Sequence, residues 1–177
     1  ASTDPTCFER ALEVLDRLDY PGFPLALAVA LWPTVDAKTA REIGERWRLT
    51  NKEIDRIAWL LERHGALDAA HHKALSSVQR VLVAEGAGDL LDWMQAERAT
   101  DGTDDADVAW CRRQLARPHA EIDPAPLLSG ADLIEHGVPR GPIYRELLDQ
   151  VRDAQLDGRI DSTAAALQLV DRILSEN

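Results

Sequence analysis

Apolar residues recur at spacings of three and four along nearly the whole chain, and nowhere do they alternate over the length of a strand. Side chains at i, i+3 and i+4 share one face of an α-helix, whereas a half-buried strand needs period two. The pattern therefore predicts an all-α fold, a multi-helix body with a smaller helical tail and no significant sheet. Helix boundaries follow from local chemistry. Asp4-Pro5 reads as an N-cap with Pro at the first helical position, leading Phe8, Leu12, Leu15 and Leu18, and Tyr20-Pro21-Gly22 stops that run. Phe23 to Trp32 is apolar nearly all round, which predicts central burial. Asp36 caps a helix through about Arg48, and Thr50-Asn51-Lys52-Glu53 is a capping box opening a helix to His64, with Gly65 behind it. Further helices are expected over 73–84 and 88–99, and over 104–117 with Thr103 as cap. Three more are expected over 130–136, 141–156 and 162–175. His119 to Pro126 is the linker candidate, giving a body at 1–117, a linker at 118–127 and a tail at 128–177.

With 177 residues and 45% apolar content, one domain or two small ones can bury a core. No run approaches the roughly 20 apolar residues needed to span a bilayer, so no membrane is expected. Cys7 and Cys111 are isolated, which suits a reducing cytoplasm better than a disulfide scaffold. The stretch Ala1 to Thr6 reads as a cut or processed end. The 31 acidic against 20 basic residues give a net charge of −11, which argues against non-specific coating of nucleic acid. Much of it is one block, since residues 85–107 hold eight carboxylates and a single Arg.

Catalytic signatures are absent: there is no Gly-rich phosphate loop, no GxSxG and no HExxH. No catalytic or metal-binding residue is assigned. Neighbours on a helix point about 100° apart, so His71-His72 cannot turn both rings to one ligand. Asp104, Asp105 and Asp107 lack the alternation and glycine of a calcium loop, and capping accounts for them.

Two stretches carry more. After Thr50, Lys52, Arg56, Trp59 and Arg63 follow at spacings of four, three and four, within a stripe roughly 60° wide, opposite Ile54, Ile57, Ala58 and Leu61. A basic stripe with an interleaved aromatic offers phosphate contacts and a stacking surface; the alternative is a solvated face with a half-buried Trp59. In 128–142, a short helix ends at Gly137 and Pro142 sits in the first turn of the next. Exposed N–H groups there, with Arg140, Gly141 and Arg145, would suit a backbone phosphate; the alternative is a plain helix–turn–helix corner.

The tail LLSGADLIEHGVPRGPIYRELLDQVRDAQLDGRI resembles that of bacterial poly(A) polymerases and CCA-adding tRNA nucleotidyltransferases. Gly130, Asp132, Leu133, Gly137, Gly141, Pro142 and Gly158 fit the pattern of a GxDL start, a Pro/Gly-rich turn, GP and a later Gly. RWRLTNKEIDRIAWLLERH is similar to a body segment of that family, and DDADVAWCRRQLA resembles its connector helix. The family's catalytic head, with a Gly-Gly-x-Val-Arg-Asp turn and paired metal-binding aspartates, has no counterpart in this chain. Where some relatives carry a His and a His-Asp pair of the metal phosphohydrolase type, this chain has ALWPTVDAK. The resemblance thus implies a degenerate HD-like start without hydrolase activity. Many relatives carry a small residue at the position of Arg145.

The resemblance implies an RNA-binding region whose partners are tRNA or RNA 3′ ends. Lys52, Arg56, Trp59, Arg63, Arg140, Gly141 and Arg145 are its RNA-binding candidates. No cofactor is expected in this chain, since Mg²⁺ and a nucleoside triphosphate belong to the missing head. The alternatives are a helical protein–protein module, for instance through the acidic 85–107 patch or Phe23 to Trp32, and an inactive HD-type domain. On the RNA reading, the acidic patch is expected to face away from the basic stripe.

Overall fold

The computed structural model describes residues 5–32 and 34–176; the expected cap at Asp4 lies outside them. Among the described residues every regular element is helical. In chain order these are α1 (Pro5–Asp16), α2 (Phe23–Leu31), α3 (Ala37–Arg46), α4 (Asn51–Arg63), a 3₁₀ turn (Ala70–His72), α5 (Leu75–Leu82) and α6 (Ala87–Asp101). They continue with α7 (Ala106–Leu115), α8 (His119–Ile122), α9 (Gly130–Glu135), α10 (Ile143–Leu156) and α11 (Thr163–Glu176). None is long and apolar enough to cross a membrane.

The local signals explain most boundaries. Asp36 accepts a hydrogen bond from the Thr39 N–H at 2.7 Å and starts α3. At α4 the box is complete: Thr50 Oγ1 accepts from Glu53 N–H at 3.3 Å, and the Glu53 carboxylate accepts from Thr50 N–H at 2.8 Å. The helix expected from Asp104 starts later, at Ala106, because the Asp104 carboxylate bonds the Ala106 N–H at 2.9 Å and holds the preceding turn outside the helix. Residues 119–122 of the expected linker form the single turn α8.

The chain divides into two compact units. The first comprises residues 1–71 and 84–114 and holds α1 to α4, α6 and α7. In it α2 packs against α1, α4 and α6. Its Leu25, Ala28 and Val29 are buried, and only Phe23 of the helix stands exposed, as an all-round apolar helix requires. The α3–α4 contact is close because Gly44 leaves no Cβ between the helices: an added one would lie 2.7 Å from Ile54 Cγ1. Trp93 on α6 is fully buried.

The second unit comprises residues 72–83 and 115–177. Its core gathers Leu128, Leu133, Val138, Leu147, Val151, Ala166, Val170 and Ile173. The helix α5 joins it by three polar contacts with α10 and its end. Asp157 accepts from the Ser76 N–H at 2.8 Å, so the cap of α5 comes from 81 residues away. Arg80 donates to Asp153 at 2.7 Å and lies 3.4 Å from Asp149. Residues 123–125 are tied to α10 as well, since Arg152 donates to the Pro124 carbonyl at 2.6 Å and to Asp123, and Gln155 donates to the Ala125 carbonyl at 2.7 Å.

Candidate nucleic-acid interface

The helix α4 buries Ile54, Ile57, Ala58 and Leu60. Leu61, expected on that face, is only half-buried, so the core face is centred one residue earlier. Lys52, Arg56, Trp59 and Arg63 are left toward the opposite side: Lys52 and Arg63 are exposed, Arg56 and Trp59 half-buried. The stripe borders a groove of about 640 Å³ that it shares with Asp55 and the turn 84–86. Gly86 lies on the Trp59 indole so closely that a Cβ there would come within 2.5 Å of Cζ3 and 2.6 Å of Cε3. Glycine is required at 86 by this approach, its φ of −84° being ordinary. That part of the indole is therefore already covered from within the protein.

The charges on the stripe are also partly answered. Glu85 Oε1 sits 3.0 Å from Arg56 Nη2 and 3.4 Å from Lys52 Nζ, and Asp89 is 3.5 Å from Arg56 Nη1. Burial raises the Asp89 carboxyl above its ordinary value; Arg56 pulls it down, while Asp92 and Glu85 push it further up. The expectation that the acidic block faces away from the basic stripe is thus corrected. The carboxylates that open α6 lie on the stripe, because α6 packs beside α4 in the same unit. Further along the block, Asp92 pairs with Arg112 at 2.7 Å, Asp101 with Arg10 at 2.7 Å, and Asp107 with His71 at 2.6 Å. Arg63 has no ion pair among the described residues.

The second stretch is a corner built on sequence-local chemistry. Both the N–H and the Oγ of Ser129 donate to the Asp132 carboxylate at 2.7 Å and open α9. The hydroxyl bond first, then the backbone one, holds the Asp132 carboxyl below its ordinary value. Gly137, at φ +86°, ends the helix in a Schellman motif: Val138 N–H reaches the Leu133 carbonyl and Gly137 N–H the Ile134 carbonyl, each at 3.0 Å. The motif's apolar contact is between Leu133 and Val138, both buried. Tyr144 donates its hydroxyl to the Val138 carbonyl at 2.6 Å and pins the return into α10. Gly158, at φ +70°, closes α10 in the same way, with Arg159 N–H on the Ala154 carbonyl at 2.8 Å. Arg140 and Gly141 are exposed, and the Arg145 side chain is 94% exposed, 3.9 Å from Asp149. Nothing lies within 4 Å of a Cβ placed on Gly130 or Gly141, and neither has a positive φ. The fold itself does not require glycine at those two positions. The stripe belongs to the first unit and the corner to the second.

One constellation escaped the sequence. The His64 ring packs against the indoles of both Trp32 and Trp93, with centroids 4.4 and 4.6 Å away, the two indoles meeting edge to face at 6.2 Å, and its Nε2 is 2.9 Å from Glu97. Arg10 stands 5.1 Å over the Trp32 ring and 3.5 Å from Glu97. These side chains come from four separated segments with no shared motif, so no local signal announces them. Their location, joining the ends of α2 and α4 to α1 and α6, marks a structural clasp of the first unit. Among the described residues no group of three or more His, Cys, Asp or Glu side chains is arranged to share a metal ion.

No family model, curated protein or solved structure matches this chain.

Proposed function

We propose that the chain is an RNA-binding helical region of the kind that bacterial poly(A) polymerases and CCA-adding tRNA nucleotidyltransferases carry beside their catalytic head. It acts by holding an RNA backbone and performs no nucleotidyl transfer itself. The observation that carries this is the corner at 137–145. Gly137 and Gly158 are explained by their left-handed backbone, but Gly141 is not: it is exposed with open space around its Cα, next in sequence to the exposed Arg140 and one helical turn before the exposed Arg145. A bare backbone beside exposed arginines suits a phosphate, which can bond main-chain N–H groups and Arg together. Arg63 adds an exposed cation on the first unit. Mg²⁺ and a nucleoside triphosphate belong to the head and to no residue here. The two isolated cysteines of the sequence, Cys7 and Cys111, favour a cytoplasmic setting.

The test is fluorescence anisotropy with a labelled tRNA and a labelled single-stranded RNA across a salt series. Log affinity is expected to fall linearly with log salt, and Arg63→Ala, Arg140→Ala and Arg145→Ala each to lower the slope by about 0.7–0.9. Absence of binding even at about 25 mM salt would overturn the reading.

A protein-docking function has one observation of its own. Phe8 and Leu12, one turn apart on α1, are 54% and 49% exposed. A chain that binds no RNA but loses partner capture on Phe8→Ser with Leu12→Ser would favour it.

A further inference from the structure

We infer that Glu85 determines what the α4 stripe accepts: it is a displaceable counter-anion that admits a run of phosphates on one strand and turns away single phosphates. This rests on the RNA-binding reading above and adds the selectivity of one of its surfaces.

The geometry is specific. One oxygen of Glu85 serves two cations, at 3.0 Å from Arg56 and 3.4 Å from Lys52. Glu85 is the position a phosphate oxygen would take in bridging the same two groups. The carboxylate is 75% exposed and Lys52 82% exposed, so the pairing sits in high dielectric and is weak enough to be displaced. Arg56 is only 16% exposed and stays fixed on Asp89 when Glu85 leaves. The placement of Glu85 is not a matter of a free side chain drifting onto a cation. Its neighbour Gly86 is seated on the Trp59 ring, with no room for a Cβ, and this anchors the turn over the stripe. Trp59, expected to stack on a base, instead holds the turn that carries the guard.

Selectivity follows from exchange. A single phosphate that displaces Glu85 trades one anion for another at Lys52 and Arg56 and gains little. A strand also reaches Arg63, seven residues beyond Arg56 and so about 10 Å further along the helix, where no carboxylate competes among the described residues. Only a ligand with successive phosphates gains that extra contact while it displaces Glu85.

The experiment compares the wild-type chain with Glu85→Gln, using labelled tRNA and, separately, inorganic phosphate, over a salt series. Glu85→Gln is expected to bind tRNA roughly two- to fivefold more tightly at low salt. It should also bind inorganic phosphate where the wild type does not. Glu13→Gln, an exposed change of the same charge on α1, should reproduce neither effect. Adding Lys52→Ala and Arg56→Ala to Glu85→Gln should erase the gain. If the wild type binds tRNA and Glu85→Gln binds it no more tightly, or Glu13→Gln matches it, the guard is refuted and the RNA reading stands. If no variant binds tRNA at any salt, both fall together.

Discussion

Replacing Gly44 by alanine tests whether the α3–α4 approach is set by the missing side chain. In an ordinary helix interior this change is favourable by about 1 kcal/mol, since alanine restricts the backbone less expensively than glycine. At this position the new Cβ would sit 2.7 Å from Ile54 Cγ1 and 3.3 Å from its Cδ1. Ile54 is 8% exposed and β-branched on a helix, so Cγ1 has essentially one place to be and cannot swing aside. Forcing one methyl into a filled interface costs about 1–3 kcal/mol. The sum predicts a net loss of about 1 kcal/mol, or roughly 2–4 °C in Tm for a chain of this length. Urea unfolding followed by tryptophan fluorescence reads the relevant unit directly, because Trp32, Trp47, Trp59, Trp93 and Trp110 all lie in the first one. The decisive control is the Ile54→Ala background, itself destabilised by about 2–5 kcal/mol. With Cγ1 gone the clash disappears, and Gly44→Ala should then stabilise by about 1 kcal/mol. A reversal of sign between the two backgrounds is the signature. If Gly44→Ala stabilises both by the same amount, the close α3–α4 approach does not depend on the missing side chain and the account of Gly44 is wrong.

Two further outcomes concern the second unit. Asp157→Ala should cost about 1 kcal/mol at pH 7, the usual worth of a helix N-cap, through the lost bond to Ser76 on α5. Burial raises the Asp157 carboxyl, but the bonds from Ser76 and Arg159 outweigh it and leave the folded value lowered. Its contribution is therefore full above the unfolded value of about 3.9 and is lost as pH falls through the lower folded value. The stability difference between wild type and variant should be flat from about pH 5 to 7 and shrink below about pH 4, as followed by urea titrations with far-ultraviolet circular dichroism. Leu133→Ala removes a fully buried side chain of the second core and should cost about 2–5 kcal/mol. That loss should register as weakened amide-exchange protection in α9 to α11, and retained protection there would refute the assignment of Leu133 to this core.

The chain's helical register, several of its helix starts and the shape of the 129–142 corner were legible in contiguous residues. Thr50 with Glu53, Asp36 with Thr39, Ser129 with Asp132, and the glycines at 137 and 158 each act within a few positions. The hydrogen bonds concerned are short-range, and sequence spacing alone specifies them. Where such signals competed, the sequence pointed to the wrong residue: Asp104 stops the turn before α7 that Thr103 was expected to cap. The basic stripe was legible as a stripe, since helical period fixes which residues share a face.

What that stripe meets was not legible. Glu85 on Lys52 and Arg56, Gly86 on Trp59, Gly44 against Ile54, Asp157 capping α5 and His64 against two indoles each join residues ten or more positions apart. No residue in such a pair carries a mark of its partner. The meeting depends on which apolar faces the whole chain buries together, and burial is non-directional until packing fixes it. The sequence by itself determined that this protein is helical, where the helices with a local cap begin, and that it carries two clusters of cations on an acidic chain. Only the tertiary structure decided that Glu85 lies on Lys52 and Arg56 of one cluster, while Arg140 and Arg145 of the other are exposed, Arg145 with Asp149 at 3.9 Å.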